Sequence, residues 1–252
     1  MIIRKQDKRF DCIRQHDHAY ISGEIAKHWI EPVSTSALTG IYEHDRAWIP
    51  LDEKVRAAND QQMPYDFISF PIEWKLEAYT RGVDEVEVHS PYSAFLCSKH
   101  YCSFFSGSIT SEPGVAAFLA HEEKRQQSIL DALEVCPSVN ERSQDFTLLQ
   151  FCDDLSLYIC MNPPGIPKSE EVSWFKNGFA QSFSFAPKGI QAEWKNESEI
   201  TLDPFPFKDS LTLTFSVYEL PTDTWVKAEQ DIPLDALSHH TQTVTLVPPA
   251  VL

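Results

Sequence analysis

The sequence is short of basic residues: 21 Lys and Arg stand against 37 Asp and Glu, a formal net charge of −16. A nucleic-acid-binding surface replaces counterions with clustered cations, so this balance argues against a nucleic-acid partner. It still permits one local basic pocket for a phosphate or carboxylate. No apolar run approaches the roughly 20 residues of a membrane span, so no membrane partner is expected. Six cysteines (Cys12, Cys97, Cys102, Cys136, Cys152 and Cys160) include no Cys-x-x-Cys pair. They sit mostly in apolar runs, which fits reduced, buried thiols of a cytoplasmic protein better than a disulfide scaffold. The opening MIIRKQDKRFDCI mixes charged and apolar residues, unlike a signal peptide. No internal repeat or low-complexity tract stands out.

What is present can build a substantial core. The chain has 252 residues, 42% of them hydrophobic. One large domain, or a domain with a smaller appendage, is the natural reading. Ile2-Ile3 and Phe10 to Ile13 flank a polar turn, as in a hairpin. From Asp17, a plausible N-cap, helical spacing runs towards Pro32. A second helix is expected over 34–48, capped by Ser34 or Thr35. Helices also read over 74–82, 91–105, 112–136 and 139–160. After Gly165 the pattern changes, and strands are expected over 183–185, 190–194, 200–202, 211–218 and 243–247. The expected fold is therefore mainly α: a helical bundle with an N-terminal β-hairpin over residues 1–165, and a β-rich appendage over 166–252, to which the hairpin can add its strands.

The chemistry lies in the first 160 residues. His18 starts the first helix, and His44 and Asp45 adjoin near the end of the second. His100 and His121 fall in later helices. Asp153 sits in the apolar phrase FCDDLSL, where a carboxylate is costly unless paired or metal-bound. Neighbours at a helix end can converge on one ion, and mixed imidazole and carboxylate donors suit Fe, Mn, Zn, Ni or Mg. The His-Asp dipeptide alone is a weak signal; its place in an ordered series is stronger. His100 reads equally as a core histidine, and His121, followed by Glu-Glu-Lys-Arg, as the edge of a solvated face. Arg46, Lys99 and His89 could contact a bound anion or line the pocket, although ordinary surface residues are the simpler reading. Tyr65, Phe67, Phe70 and Trp74 read as aromatic core, with a wall over the pocket as the functional alternative.

The order His18, His44-Asp45, Asp153 resembles the ligand pattern of the HD superfamily of metal-dependent phosphohydrolases. More closely, QHDHAYISGEIAKHW, EHDRAWI, SPYSAFLCSKHY, DDLSLYIC and DPFPF resemble an uncharacterised bacterial family of HD-like proteins, a domain of unknown function. The likeness covers nearly the whole chain. It departs at Ala47, where glycine is more usual. The resemblance implies an HD-like helical fold and ligation of one or two divalent metal ions by His18, His44, Asp45 and Asp153. In that pattern the ligand Asp precedes a variable residue and Leu, which selects Asp153 over Asp154. Some HD relatives hold a second metal with further histidines, a role open to His100 and His121. The expected activity is hydrolysis of a phosphoester or nucleotide-like small molecule. The alternatives are a diiron oxygenase of the myo-inositol oxygenase type and a non-catalytic sensor or binding protein. The expected partner is a small-molecule substrate, and the β-rich tail offers an edge for homo-oligomer formation.

Overall fold

The computed structural model describes residues 1–57, 63–105, 111–227 and 230–250. Strands β1 (Ile2–Lys5) and β2 (Arg9–Ile13) form the expected hairpin, with Lys5 opposite Phe10. Helices α1 (Gln15–Lys27), α2 (Thr35–Glu43), α3 (Ile72–Glu87), α4 (Pro91–Ser103), α5 (Val115–Ala132) and α6 (Val139–Met161) follow; the two-residue strand β3 (Lys54–Val55) precedes α3. The chain then forms β4 (Gln191–Asn196), β5 (Glu199–Asp203), β6 (Leu211–Pro221), the short helix α7 (Thr222–Val226), β7 (Ile232–Pro233) and β8 (Ser238–Val247).

The mainly α expectation is overturned by the sheet. Six strands in the order β1-β2-β6-β8-β5-β4 form one curled, mixed half-barrel. Helix accounts for 45% of the residues and strand for 21%. The strands are a layer of the fold in their own right and not an appendage to a helical bundle. In fact β2 pairs antiparallel with β6, with Cys12 opposite Tyr218, and so brings the first strands into the sheet built by the last. Among the described residues, the only parallel pairing is β5 with β8. Alternation along β6 shows why the sheet forms. Leu211, Leu213, Phe215 and Val217 are buried, whereas Thr212 and Thr214 on the other face are exposed.

Several boundaries differ from the sequence reading. The expected single helix over 34–48 stops at Glu43, and His44 and Asp45 occupy the turn before a 3-10 segment, Arg46–Trp48. Ser34 is the N-cap: its hydroxyl accepts from the Ala37 N–H at 3.1 Å. Asp17 is not a cap. Helix α1 begins earlier, at Gln15, and the Gln15 N–H donates to the Asp52 carboxylate at 2.6 Å. Residues 183–185 are no strand; Phe183 and Ala186 form an isolated bridge in an aromatic turn. That turn packs Phe183 against Trp29 and Phe151. One hydrophobic core runs from Ile2 through the helices to Leu246. Among the described residues, no helix is long and apolar enough to cross a membrane.

Candidate metal centre

Four elements meet at one buried polar cluster inside this core. Helix α1 supplies His18, the turn after α2 supplies His44 and Asp45, α4 supplies His100 and α6 supplies Asp153. All five are buried; Asp153, at 8% exposed, is the most accessible. His18 Nε2 lies 3.1 Å from Asp45 Oδ2 and 3.3 Å from Asp153 Oδ1. His44 Nε2 lies 3.3 Å from His18 Nε2, 3.3 Å from Asp153 Oδ1 and 3.9 Å from Asp45 Oδ2. His100 Nε2 is 3.7 Å from Asp153 Oδ2. Two donors on one transition-metal ion, each about 2.1 Å from it, lie roughly 3 Å apart at a right angle. The contacts among His18, His44, Asp153 Oδ1 and, to His18, Asp45 Oδ2, at 3.1–3.3 Å, are of that size, and those of His44 to Asp45 and His100 to Asp153 are longer.

The imidazoles are aimed by the backbone and by two serines. His44 Nδ1 is 2.7 Å from the Ile41 carbonyl, which can only accept, so this nitrogen carries a proton and His44, once neutral, presents its lone pair on Nε2. His18 Nδ1 is 2.5 Å from Ser156 Oγ, which donates to the Asp153 carbonyl at 2.9 Å. Ser22 Oγ completes this group, 2.8 Å from Ser156 Oγ. His18 thus also directs Nε2 into the cluster. His100 differs: its buried Nδ1 has no hydrogen-bond partner among the described residues. It packs edge-on between the His44 and Phe104 rings.

The electrostatics follow from burying two carboxylates among three imidazoles. Burial disfavours a charged His44, but Asp45 beside it and the hydrogen bond to Asp153 outweigh this and raise its pKa to about 9. Burial pushes Asp153 up, yet His100, His44 and His18 together hold it well below the usual carboxylate range. Asp45 is likewise lowered, against its own desolvation, by His44 and His18. For His100 burial wins, bringing it down to about 4 and leaving it neutral. Asp154, beside the cluster, is pushed up to about 7 by burial and by the Asp153 charge; Gln181 donates to it at 2.9 Å.

This cluster lies within residues 1–222, the part of the chain matched by the model of DUF3891, a family described as a protein of unknown function. The chain belongs to that family. No curated protein and no solved structure matches it. The DUF3891 match takes in every residue of the cluster and most of the sheet, but stops within α7 and leaves β8 outside.

The structure does not bring the remaining sequence candidates to the cluster. His121 is 57% exposed on α5, beside Arg125 at 3.1 Å, so it is no partner to the four expected ligands. The helical period explains the outcome, because α5 turns Phe118, Glu122 and Ile129 inward and His121 out. Arg46 is held by Glu85 at 2.7 Å and Glu43 at 3.1 Å. Lys99 lies over the rings of Phe146 and Phe95. His89 is exposed in the turn after α3. Phe70 packs on Trp48 as core, while Trp74 is half exposed. Ala47, at the position where glycine is more usual, fits against the backbone of α3 because Gly82 faces it. Sequence reasoning missed Gln15, Ser22 and Ser156. Gln15 had a signal: it precedes His18 by three residues and so shares its helix face.

Proposed function

We propose that this protein is a metal-dependent hydrolase of HD type, with one divalent transition-metal ion held by His18, His44, Asp45 and Asp153, and with His100 as a fifth donor. The observation that carries the reading is the convergence of three imidazoles and two carboxylates, from four separate elements, in two three-donor groups that share His44: one with His18 and Asp153, the other with Asp45 and His100. Each group therefore needs a lone pair from His44. Its Nδ1 is committed to Ile41, so it has a single lone pair to offer, which favours one ion over two. Three nitrogen donors favour Mn, Fe, Ni or Zn over Mg. The bound ion would act as a Lewis acid and make water a nucleophile near neutral pH.

The order of ligands along the chain supports the HD relationship, and the substrate class follows from that likeness: a phosphoester or nucleotide-like small molecule. Charge narrows it. Asp45 and Asp153 balance a dication, and Arg46 and Lys99 are engaged elsewhere. Such a site favours a substrate of low net charge, such as a phosphodiester, over a dianionic monoester. The oxidative, dinuclear alternative is less supported, because it needs His121 as a ligand. Free cysteines and the lack of a membrane-crossing helix among the described residues are compatible with a cytoplasmic setting.

Metal analysis of purified and reconstituted protein tests the proposal. About one transition-metal ion per chain is expected, with binding lost in His44→Ala and Asp153→Ala and with phosphodiester turnover dependent on the ion. A wild-type chain that takes up no such ion on reconstitution would end this reading.

A further inference from the structure

We propose that Gln15 is a positioning residue of this centre: it pins one oxygen of Asp45 and offers its own amide oxygen to a water or hydroxyl at the ion. The inference rests on the metal-centre reading above. Gln15 is the first residue of α1, only 3% exposed. Its backbone is fixed by the N–H that donates to Asp52 Oδ2 at 2.6 Å. Its side-chain Nε2 donates to Asp45 Oδ2 at 3.0 Å. Asp45 Oδ2 is the atom 3.1 Å from His18 Nε2, so the Gln15 amide abuts the donor cluster itself.

The orientation of this amide is dictated by chemistry. An ionised carboxylate only accepts, so the NH2 end of Gln15 must face Asp45 and Oε1 must point elsewhere. That Oε1 is buried and has no hydrogen-bond partner among the described residues. A buried acceptor left without a donor is costly, so the site is built for a group that brings a proton. Water and a hydroxyl qualify; a deprotonated phosphate oxygen does not. One lone pair of Asp45 Oδ2 is occupied by Gln15, which leaves this oxygen one direction in which to bind an ion. Gln15 would thus hold Asp45 in a single pose and orient the water beside the ion, turning its second lone pair towards the substrate.

Gln15→Met keeps the length and burial of the side chain but removes both hydrogen-bonding ends. The test loads wild type, Gln15→Met and Gln15→Ala with Mn(II), follows binding by electron paramagnetic resonance and measures the water-proton relaxation of the loaded protein. Circular dichroism selects whichever variant is folded. The expected result is one Mn(II) per chain throughout, a Kd weakened roughly tenfold in the variant, and an altered relaxation rate as the bound water loses its acceptor. Gln127→Met, on an exposed part of α5, should match wild type in both readouts. A variant with wild-type Kd and relaxation overturns the role of Gln15, as does a weakened Kd with unchanged relaxation. A wild type that binds no Mn(II) or other transition metal overturns the metal centre instead.

Discussion

Loading the centre with an ion must displace a proton, and His44 sets the pH at which this becomes easy. Without an ion, burial alone would favour neutral His44, but Asp45 and the hydrogen bond to Asp153 raise its pKa to about 9. At neutral pH the imidazolium is therefore the dominant form, and its Nε2–H faces Asp153 Oδ1 at 3.3 Å, on the side where the ion would go. A ligating imidazole must be neutral, so proton and ion compete. The sign is fixed by the raised pKa: affinity rises with pH up to about 9 and then levels off. With one competing proton, the apparent Kd improves about ninefold between about pH 7 and pH 8. His100, already neutral at its lowered pKa of about 4, contributes no proton in this range. Calorimetric titration with Mn(II) or Zn(II), in buffers of different ionisation enthalpy, counts the protons directly. About one per ion is expected near pH 7. Zero release, with an affinity flat across that interval, would refute the protonated His44 and the shared position of proton and metal.

Two further outcomes follow from packing. Gly82→Ala places a methyl carbon 2.8 Å from the backbone of Ala47; a loss of about 1–3 kcal/mol is expected in denaturant unfolding, and an unchanged midpoint would show that the turn after Asp45 does not press on α3. His121→Ala, on an exposed face, should keep the metal stoichiometry and alter stability by less than about 0.5 kcal/mol; loss of an ion would reinstate His121 as a ligand.

The helices were legible because their signals are local. Ser34 caps α2 as expected, and Ser138 with Glu141 forms a capping box that starts α6 at the expected residue. The hairpin and the alternation of β6 were legible for the same reason. That the hairpin could join the β-rich part was legible too, but the register of their pairing was not. Nothing near Arg9 states that it will lie opposite Pro221, because that register depends on two segments more than 200 residues apart. Local alternation does not reveal how many strands one sheet joins, so the sequence reads as more helical than the fold is. The aromatic turn at Phe183 misled in another way. Its alternating Phe residues resemble a strand, yet they fill space around Trp29 and Phe151 without forming a ladder.

The candidate ligands were legible for a different reason: a carboxylate in an apolar phrase such as FCDDLSL demands a partner, and the sequence offers few. Asp153 and Asp154 show how far that logic reaches. Both are acidic, but on a helix they point about 100° apart, so only Asp153 can share a face with Ser156 and meet α1. The residues that hold the donors in place carry no such signal. Ser22 and Ser156 are ordinary helical serines until α1 and α6 are laid side by side; only then does Ser156 reach His18 Nδ1 and Ser22 reach Ser156. Donors must be chemically unusual in their surroundings, whereas the groups that orient them need only be near. A sequence displays the first property and conceals the second: Gln15, three residues from a predicted ligand, is set apart only by the contact of its amide with Asp45.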